Sequence, residues 1–123
     1  EDFLQKTQLK SNKNLFNFIN KTSITETAAL VSKCRLIVGV DTGVMHIADA
    51  LGIKTLSIFG PTNPKVVGAY SKNADYIEHN CECKYCYGTS RYITCTDRKC
   101  LNEIKVQEVL DEIKRILKWE SYQ

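Results

Sequence analysis

Nine consecutive residues, Val38-Gly39-Val40-Asp41-Thr42-Gly43-Val44-Met45-His46, combine the residue types that hold an anionic ligand. An apolar run ends at Val40, and helical spacing begins at Val44. Gly43 therefore falls at a strand-to-helix turn, where a missing side chain lets backbone approach an anion closely. The amides of Gly43, Val44 and Met45 open the helix and point outward, with the positive end of the helix dipole behind them. Thr42 can donate a hydroxyl, and His46, one turn in, can reach back to the same spot. A diphosphate is the natural guest. Asp41 is an awkward neighbour for it, because like charges repel at close range; its expected role is to hold the loop through backbone hydrogen bonds. The spacing alone leaves a second reading open, in which Asp41 caps the helix, Gly43 serves the turn and His46 packs internally.

A second loop, Gly60-Pro61-Thr62-Asn63-Pro64, follows another apolar run and can only be irregular. Thr62 is a further candidate phosphate contact, although two prolines and a glycine also suffice for a rigid turn. Five of the six cysteines, Cys81, Cys83, Cys86, Cys95 and Cys100, lie close together. Cys83-x-x-Cys86 with Cys95 and Cys100 has the ligand count of a tetrahedral zinc site, with Cys81 and His79 as substitutes. The second pair is spaced more loosely than in zinc ribbons. Free thiols packing a loop, a structural zinc ion and disulfides all remain open. No base is placed beside any of these thiols by sequence, which argues against a catalytic cysteine. Cys34 ends an apolar helix pattern and is expected to be a small buried hydrophobe.

The elements that must position these residues alternate along a chain of 123 residues, the size of one domain. Asn14–Ile19 is β-prone and reads as a short strand. Ser23 with Glu26 forms a capping box, and Ile24, Ala28 and Val31 continue at helical spacing to about Lys33. Leu36–Val40 reads as a strand buried on both faces. A helix over about Val44–Leu51 ends at Gly52, and a strand over about Lys54–Phe59 leads into the second loop. A weak strand near Asp75–Glu78 follows. Val106, Val109, Leu110, Ile113, Ile116 and Leu117 form one apolar stripe on a last helix. Glu1–Lys10 resembles the middle of a helix, so the chain reads as a fragment of something longer. The pattern predicts an α/β fold, a Rossmann-like parallel sheet flanked by helices. Such sheets bind ligands beyond the carboxyl ends of their strands, where both loops fall. A net charge of +3 with scattered lysines points to a solvated face and not to a nucleic-acid surface. The longest apolar runs are strand-sized, far short of a bilayer.

In order and at matching spacing, the sequence carries Thr22-Ser23-Ile24-Thr25-Glu26, Ala28-Ala29-Leu30, Asp41-Thr42-Gly43-x-x-His46, Ala50-Leu51-Gly52 and Phe59-Gly60-Pro61-Thr62-Asn63-Pro64. Gly68-x-Tyr70, the C-x-x-C-Y run and the C-L-x-x-I ending add to these. Together they resemble the C-terminal domain of the family-nine glycosyltransferases, the ADP-heptose:lipopolysaccharide heptosyltransferases, over about residues 20–117. The resemblance implies the C-terminal domain of a GT-B glycosyltransferase, filling this whole chain, with residues 79–101 as a cysteine-rich loop within it.

It further implies that Asp41, Thr42, Gly43, Val44 and His46 surround the diphosphate and sugar of ADP-heptose or a related sugar nucleotide. Thr22 then lies near the nucleoside, and Glu1 or Asp2 is the remnant of an acidic residue that holds the ribose. The implied reaction inverts the anomeric carbon without a metal-binding D-x-D motif, so no cofactor is required. A carboxylate base on an absent N-terminal domain, which also binds the lipopolysaccharide core acceptor, deprotonates the acceptor hydroxyl. Thr42 and His46 act here as leaving-group stabilisers, and no catalytic base lies in this fragment, which alone should bind without turnover. The implied location is the cytoplasm, at or near the inner membrane. Asn63 stands where the family commonly has Asp, and Asp49 interrupts a helix usually lined with small apolar residues, which leaves the donor sugar open. Two other readings stay open: a non-catalytic nucleotide-binding or metal-stapled interaction domain, and a GT-B transferase using a UDP-sugar.

Overall fold

A computed structural model describes residues 12–118; Glu1, Asp2 and the helical reading of Glu1–Lys10 lie outside them. The first helix, α1 (Ile24–Val31), begins where the capping box requires. The Ser23 amide donates to Glu26 Oε2 at 2.8 Å, and the Glu26 amide donates to Ser23 Oγ at 3.3 Å. The Ser23 amide and hydroxyl, both donating to Glu26 Oε2 at 2.8 Å, hold that carboxyl below its ordinary range. Next come β1 (Leu36–Val40), α2 (Gly43–Ala50) and β2 (Lys54–Phe59), then a single turn α3 (Pro64–Val67), and β3 (Ala74–Glu78). Two short helices, α4 (Ser90–Thr94) and α5 (Lys99–Asn102), precede α6 (Val106–Leu117).

The three strands form one parallel sheet in the order β1-β2-β3. Val40 pairs with Ile58 and Phe59 with Glu78, so all three carboxyl ends meet at one edge. The central strand carries the core: Thr55, Leu56, Ser57 and Phe59 are all buried. Met45 and Ala48 of α2 press on this sheet. Their approach depends on Gly39, where an added Cβ would sit 3.1 Å from Met45 Sδ. The turn out of α2 needs Gly52, whose φ of +73° a side chain would strain. The last helix, α6, buries Ile116. Its last turn is held by Lys54 Nζ, which donates to the Ile116 carbonyl at 2.8 Å, and by an Arg115–Asp75 ion pair at 3.1 Å.

Three expectations need correction. Asn14–Ile19 is not a strand among the described residues. The Asn12 and Asn17 carboxamides accept from the amides of Asn14 and Ile19, both at 2.9 Å, and these side-chain turns displace sheet pairing. β1 is not buried on both faces. Gly39 faces α2, while Val38 and Val40 point the other way and stay 41% and 53% exposed, because no described layer covers that face. Cys34 is exposed, its thiol donating to the Leu30 carbonyl at 3.5 Å, so it closes a helix end instead of filling the core. No helix among the described residues is long and apolar enough to cross a membrane.

Candidate functional site

The carboxyl ends of β1 and β2 open on a cavity of about 460 Å³. Val40 and Ile58 form its floor, Asp41 one wall, and Gly60, Pro61 and Thr62 another. Of the first loop only Val40 and Asp41 line it, together with Gly60, Pro61 and Thr62 of the second; Thr42, Gly43, Val44 and His46 are not among its lining residues. At the end of β3 the geometry is different: Glu78 is already engaged, accepting from Tyr85 Oη at 2.6 Å and pairing with Lys84 at 3.3 Å. That bond pushes the Tyr85 phenol above its ordinary range.

Beside the cavity, α2 begins without a side-chain cap. The Met45 amide is spent on the Thr42 carbonyl at 3.0 Å, so it is not one of the free donors that the motif suggested. The Gly43 and Val44 amides have no protein acceptor among the described residues. Thr42, Gly43, Val44 and His46 are all exposed. His46 does not pack internally, which removes the bland reading of that residue. Asp41 accepts no hydrogen bond from the described residues; it neither caps α2 nor ties the loop, contrary to expectation, and it lines the cavity instead.

Space at Gly43 makes a separable test. A Cβ built there meets no heavy atom within 4 Å. Gly43→Ala should therefore leave the melting temperature unchanged or raise it slightly, since alanine favours helix by up to about 1 kcal/mol over glycine. Affinity for a phosphate-bearing ligand should fall at least roughly tenfold, about 1.4 kcal/mol, if the anion lies against this backbone. Paired melting and titration would check both halves, and unchanged affinity would remove Gly43 from the site.

Thr22 does not line this cavity. It borders a separate open hollow with Lys21 and Glu26, and its hydroxyl meets that of Thr27 at 3.0 Å. Asn63 caps α3 by accepting from the Lys65 amide at 3.0 Å. Asp49 ties down the chain after α3, accepting from the Tyr70 and Ser71 amides at 3.2 and 3.4 Å.

The cysteine segment supplies what the sequence did not reveal. Tyr87, Tyr92, Arg98 and Leu101 close the far wall of the cavity. The Tyr87 amide donates to the Pro61 carbonyl at 3.0 Å, and the two tyrosine rings meet edge to face at 5.1 Å. Leu101 presses on Gly60 so closely that an added Cβ would lie 2.7 Å from Leu101 Cγ. Tyr87 and Leu101 stand in the C-x-x-C-Y and C-L-x-x-I runs, which did not place them at this cavity, and Tyr92 and Arg98 belong to no motif.

The thiols themselves divide between two adjoining hollows. Cys81, Cys83 and Cys95 border one, and Cys86, Cys95 and Cys100 the other. Cys81 and Cys83 sulfurs are 3.5 Å apart, and that contact pushes the Cys83 thiol up. Cys100 is pushed up first by burial. All six cysteines are free. Among the described residues no three His, Cys, Asp or Glu side chains stand together as a metal-ligand group.

Known proteins share this sequence pattern and this fold. The signature of glycosyltransferase family 9 (heptosyltransferase) matches residues 2–96. Lipooligosaccharide heptosyltransferase 2 of Campylobacter jejuni is 31% identical over 101 residues, covering 81% of this chain and 31% of that protein. Lipopolysaccharide heptosyltransferase 1 of Pseudomonas aeruginosa is 32% identical over 113 residues, covering 79% of this chain and 31% of that protein. Among solved structures, Escherichia coli ADP-heptose lps heptosyltransferase II superposes with a TM-score of 0.66 at 25% identity, over 83% of this chain and 27% of that one. The chain thus spans about a third of the length of the curated relatives it matches.

Proposed function

Because the chain belongs to glycosyltransferase family 9, we propose that it is the donor-binding part of an inverting heptosyltransferase that transfers heptose from an ADP-linked donor to lipopolysaccharide core. In this reading the diphosphate lies across the start of α2. The Gly43 and Val44 amides, the Thr42 hydroxyl and the His46 ring meet the charge that grows on the leaving diphosphate as the glycosidic bond breaks. The acceptor hydroxyl attacks the opposite face of the anomeric carbon and gives its proton to a carboxylate base, supplied by an acceptor-binding domain in the same GT-B enzyme. This chain's part is to bind and to stabilise the leaving group. It needs no cofactor for that, and its place of work is the cytoplasmic side of the inner membrane.

The observation that supports the reading is the pair of Gly43 and Val44 amides without a protein acceptor among the described residues, flanked by exposed Thr42 and His46 and following directly on Asp41, which lines the cavity at the strand ends. Unspent donors at a helix start, with the dipole behind them, are a ready anion site. Calorimetric titration with ADP, UDP and ADP-heptose tests it. Adenine ligands should bind in preference to UDP. Thr42→Ala and His46→Ala should each weaken ADP roughly ten- to hundredfold, the worth of one hydrogen bond to a charged group. Preference for UDP would favour a transferase that uses a UDP-sugar. Adenine binding untouched by either substitution would reject this placement of the diphosphate.

A further inference from the structure

We propose that Arg98 is the cation that meets the charge of a nucleoside diphosphate in the cavity at the ends of β1 and β2. This rests on the nucleotide reading above and deepens it. Arg98 lies outside residues 2–96, the stretch that the family signature matches, and outside every motif of the two loops.

Electrostatics motivates the assignment. Asp41 and Arg98 are the charged residues on the cavity wall. A diphosphate entering beside the Asp41 carboxylate would meet repulsion that two amide dipoles, a hydroxyl and an imidazole must offset alone. A guanidinium on the opposite wall removes that difficulty, and its planar fork can grip phosphate oxygens in pairs.

The structure holds Arg98 ready for this. Its side chain makes no ion pair and donates no hydrogen bond among the described residues. Its backbone is left-handed, φ 46° and ψ 45°, a conformation that a non-glycine residue keeps only where its surroundings enforce it. The enforcement is visible. The Arg98 carbonyl accepts from the Leu101 and Asn102 amides at 2.9 and 3.0 Å, and Leu101 is seated on Gly60 at the end of β2. Arg98 also borders the small hollow beside Cys86, Cys95 and Cys100. The stem can rest against that apolar wall while the head stays free toward the cavity. The cysteine segment thereby gains a purpose, holding a cation in the wall of the cavity that Asp41 also lines.

The test is titration of the chain with ADP, AMP, adenosine and inorganic pyrophosphate, for the unaltered protein, Arg98→Ala and Arg98→Lys. Melting temperatures of all three would confirm that each is folded. Arg98→Ala should lose roughly ten- to hundredfold in affinity for ADP and pyrophosphate and leave adenosine unchanged. Arg98→Lys should recover part of that loss, since charge returns without the fork. Equal weakening of adenosine would mean that Arg98 only shapes the wall, and undiminished ADP binding in Arg98→Ala would overturn the proposal. If Thr42→Ala and His46→Ala weaken ADP while Arg98→Ala does not, this inference alone falls. If ADP fails to bind but pyrophosphate binds through Arg98, the nucleotide reading falls and the anion site stands. Binding of neither overturns both.

Discussion

Phe59→Ala is expected to lower the unfolding free energy by roughly 3–5 kcal/mol, the usual cost of truncating a buried aromatic. Phe59 is 2% exposed and meets Tyr76 edge to face at 6.0 Å. Truncation loses the transfer energy of the ring and leaves a void that neighbours can only partly fill, since β2 is flanked by strands on both sides. Stability of a domain this size totals about 5–15 kcal/mol, so the variant should be marginal or unfolded at 37 °C. The effect reaches the site as well. Phe59 is the last residue of β2, and Gly60, next along the chain, is where Leu101 seats the cysteine segment. Urea denaturation followed by far-UV circular dichroism checks the prediction. A loss under about 1 kcal/mol, typical of surface positions, would mean that β2 is not the centre of the core.

Gly68→Ala should be the next most damaging change, for reasons of room and not of backbone freedom. The φ at Gly68 is −70°, accessible to any residue, yet an added Cβ would lie 2.4 Å from the Pro64 carbonyl oxygen. That oxygen is backbone and accepts from the Gly68 amide at 2.9 Å, so it cannot swing aside without breaking the bond that ends α3. Overpacking of this kind costs roughly 2–3 kcal/mol. Val67, one residue earlier, lines the cavity, so ligand affinity should fall along with the melting temperature. Thermal melting with and without ADP separates the two. A melting temperature equal to that of the unaltered protein would show that α3 repacks freely.

Much of this fold was legible because the sheet obeys simple periodicities. Continuous apolar runs marked β1 and β2 almost residue for residue, and Ser23 with Glu26 marked the start of α1 as the structure has it. The stripe from Val106 to Leu117 gave α6 both its limits. Sequence patterning failed where side chains competed with backbone for hydrogen bonds. Phe16, Phe18 and Ile19 favour strands by type, but Asn12 and Asn17 bend the chain before pairing can form. It failed again over burial, because a run of apolar residues on β1 does not say whether a layer covers each face.

For the site, the strand-to-helix turn could be read from Gly43 and its neighbours, since loop placement in a parallel sheet follows from topology. His46 is exposed and the Gly43 and Val44 amides have no protein acceptor among the described residues, but none of the three lines the cavity. Thr22 was placed by resemblance, and it borders a different hollow. The far wall was not legible as part of the site, although Tyr87 and Leu101 stand in runs that the sequence does show. Tyr87, Tyr92 and Arg98 reach the cavity only because Gly60 admits Leu101 and Pro61 accepts from Tyr87, contacts that join residues far apart along the chain and leave no local pattern.

Backbone amide chemical shifts recorded during ADP titration test the central claim most directly, because they report where the ligand sits. The expected result is a saturable set of shifts centred on Gly43 and Val44, extending to Thr62 and Arg98. Shifts confined to the hollow at Lys21, Thr22 and Glu26, or none anywhere at saturating ADP, would contradict a diphosphate site at the ends of β1 and β2.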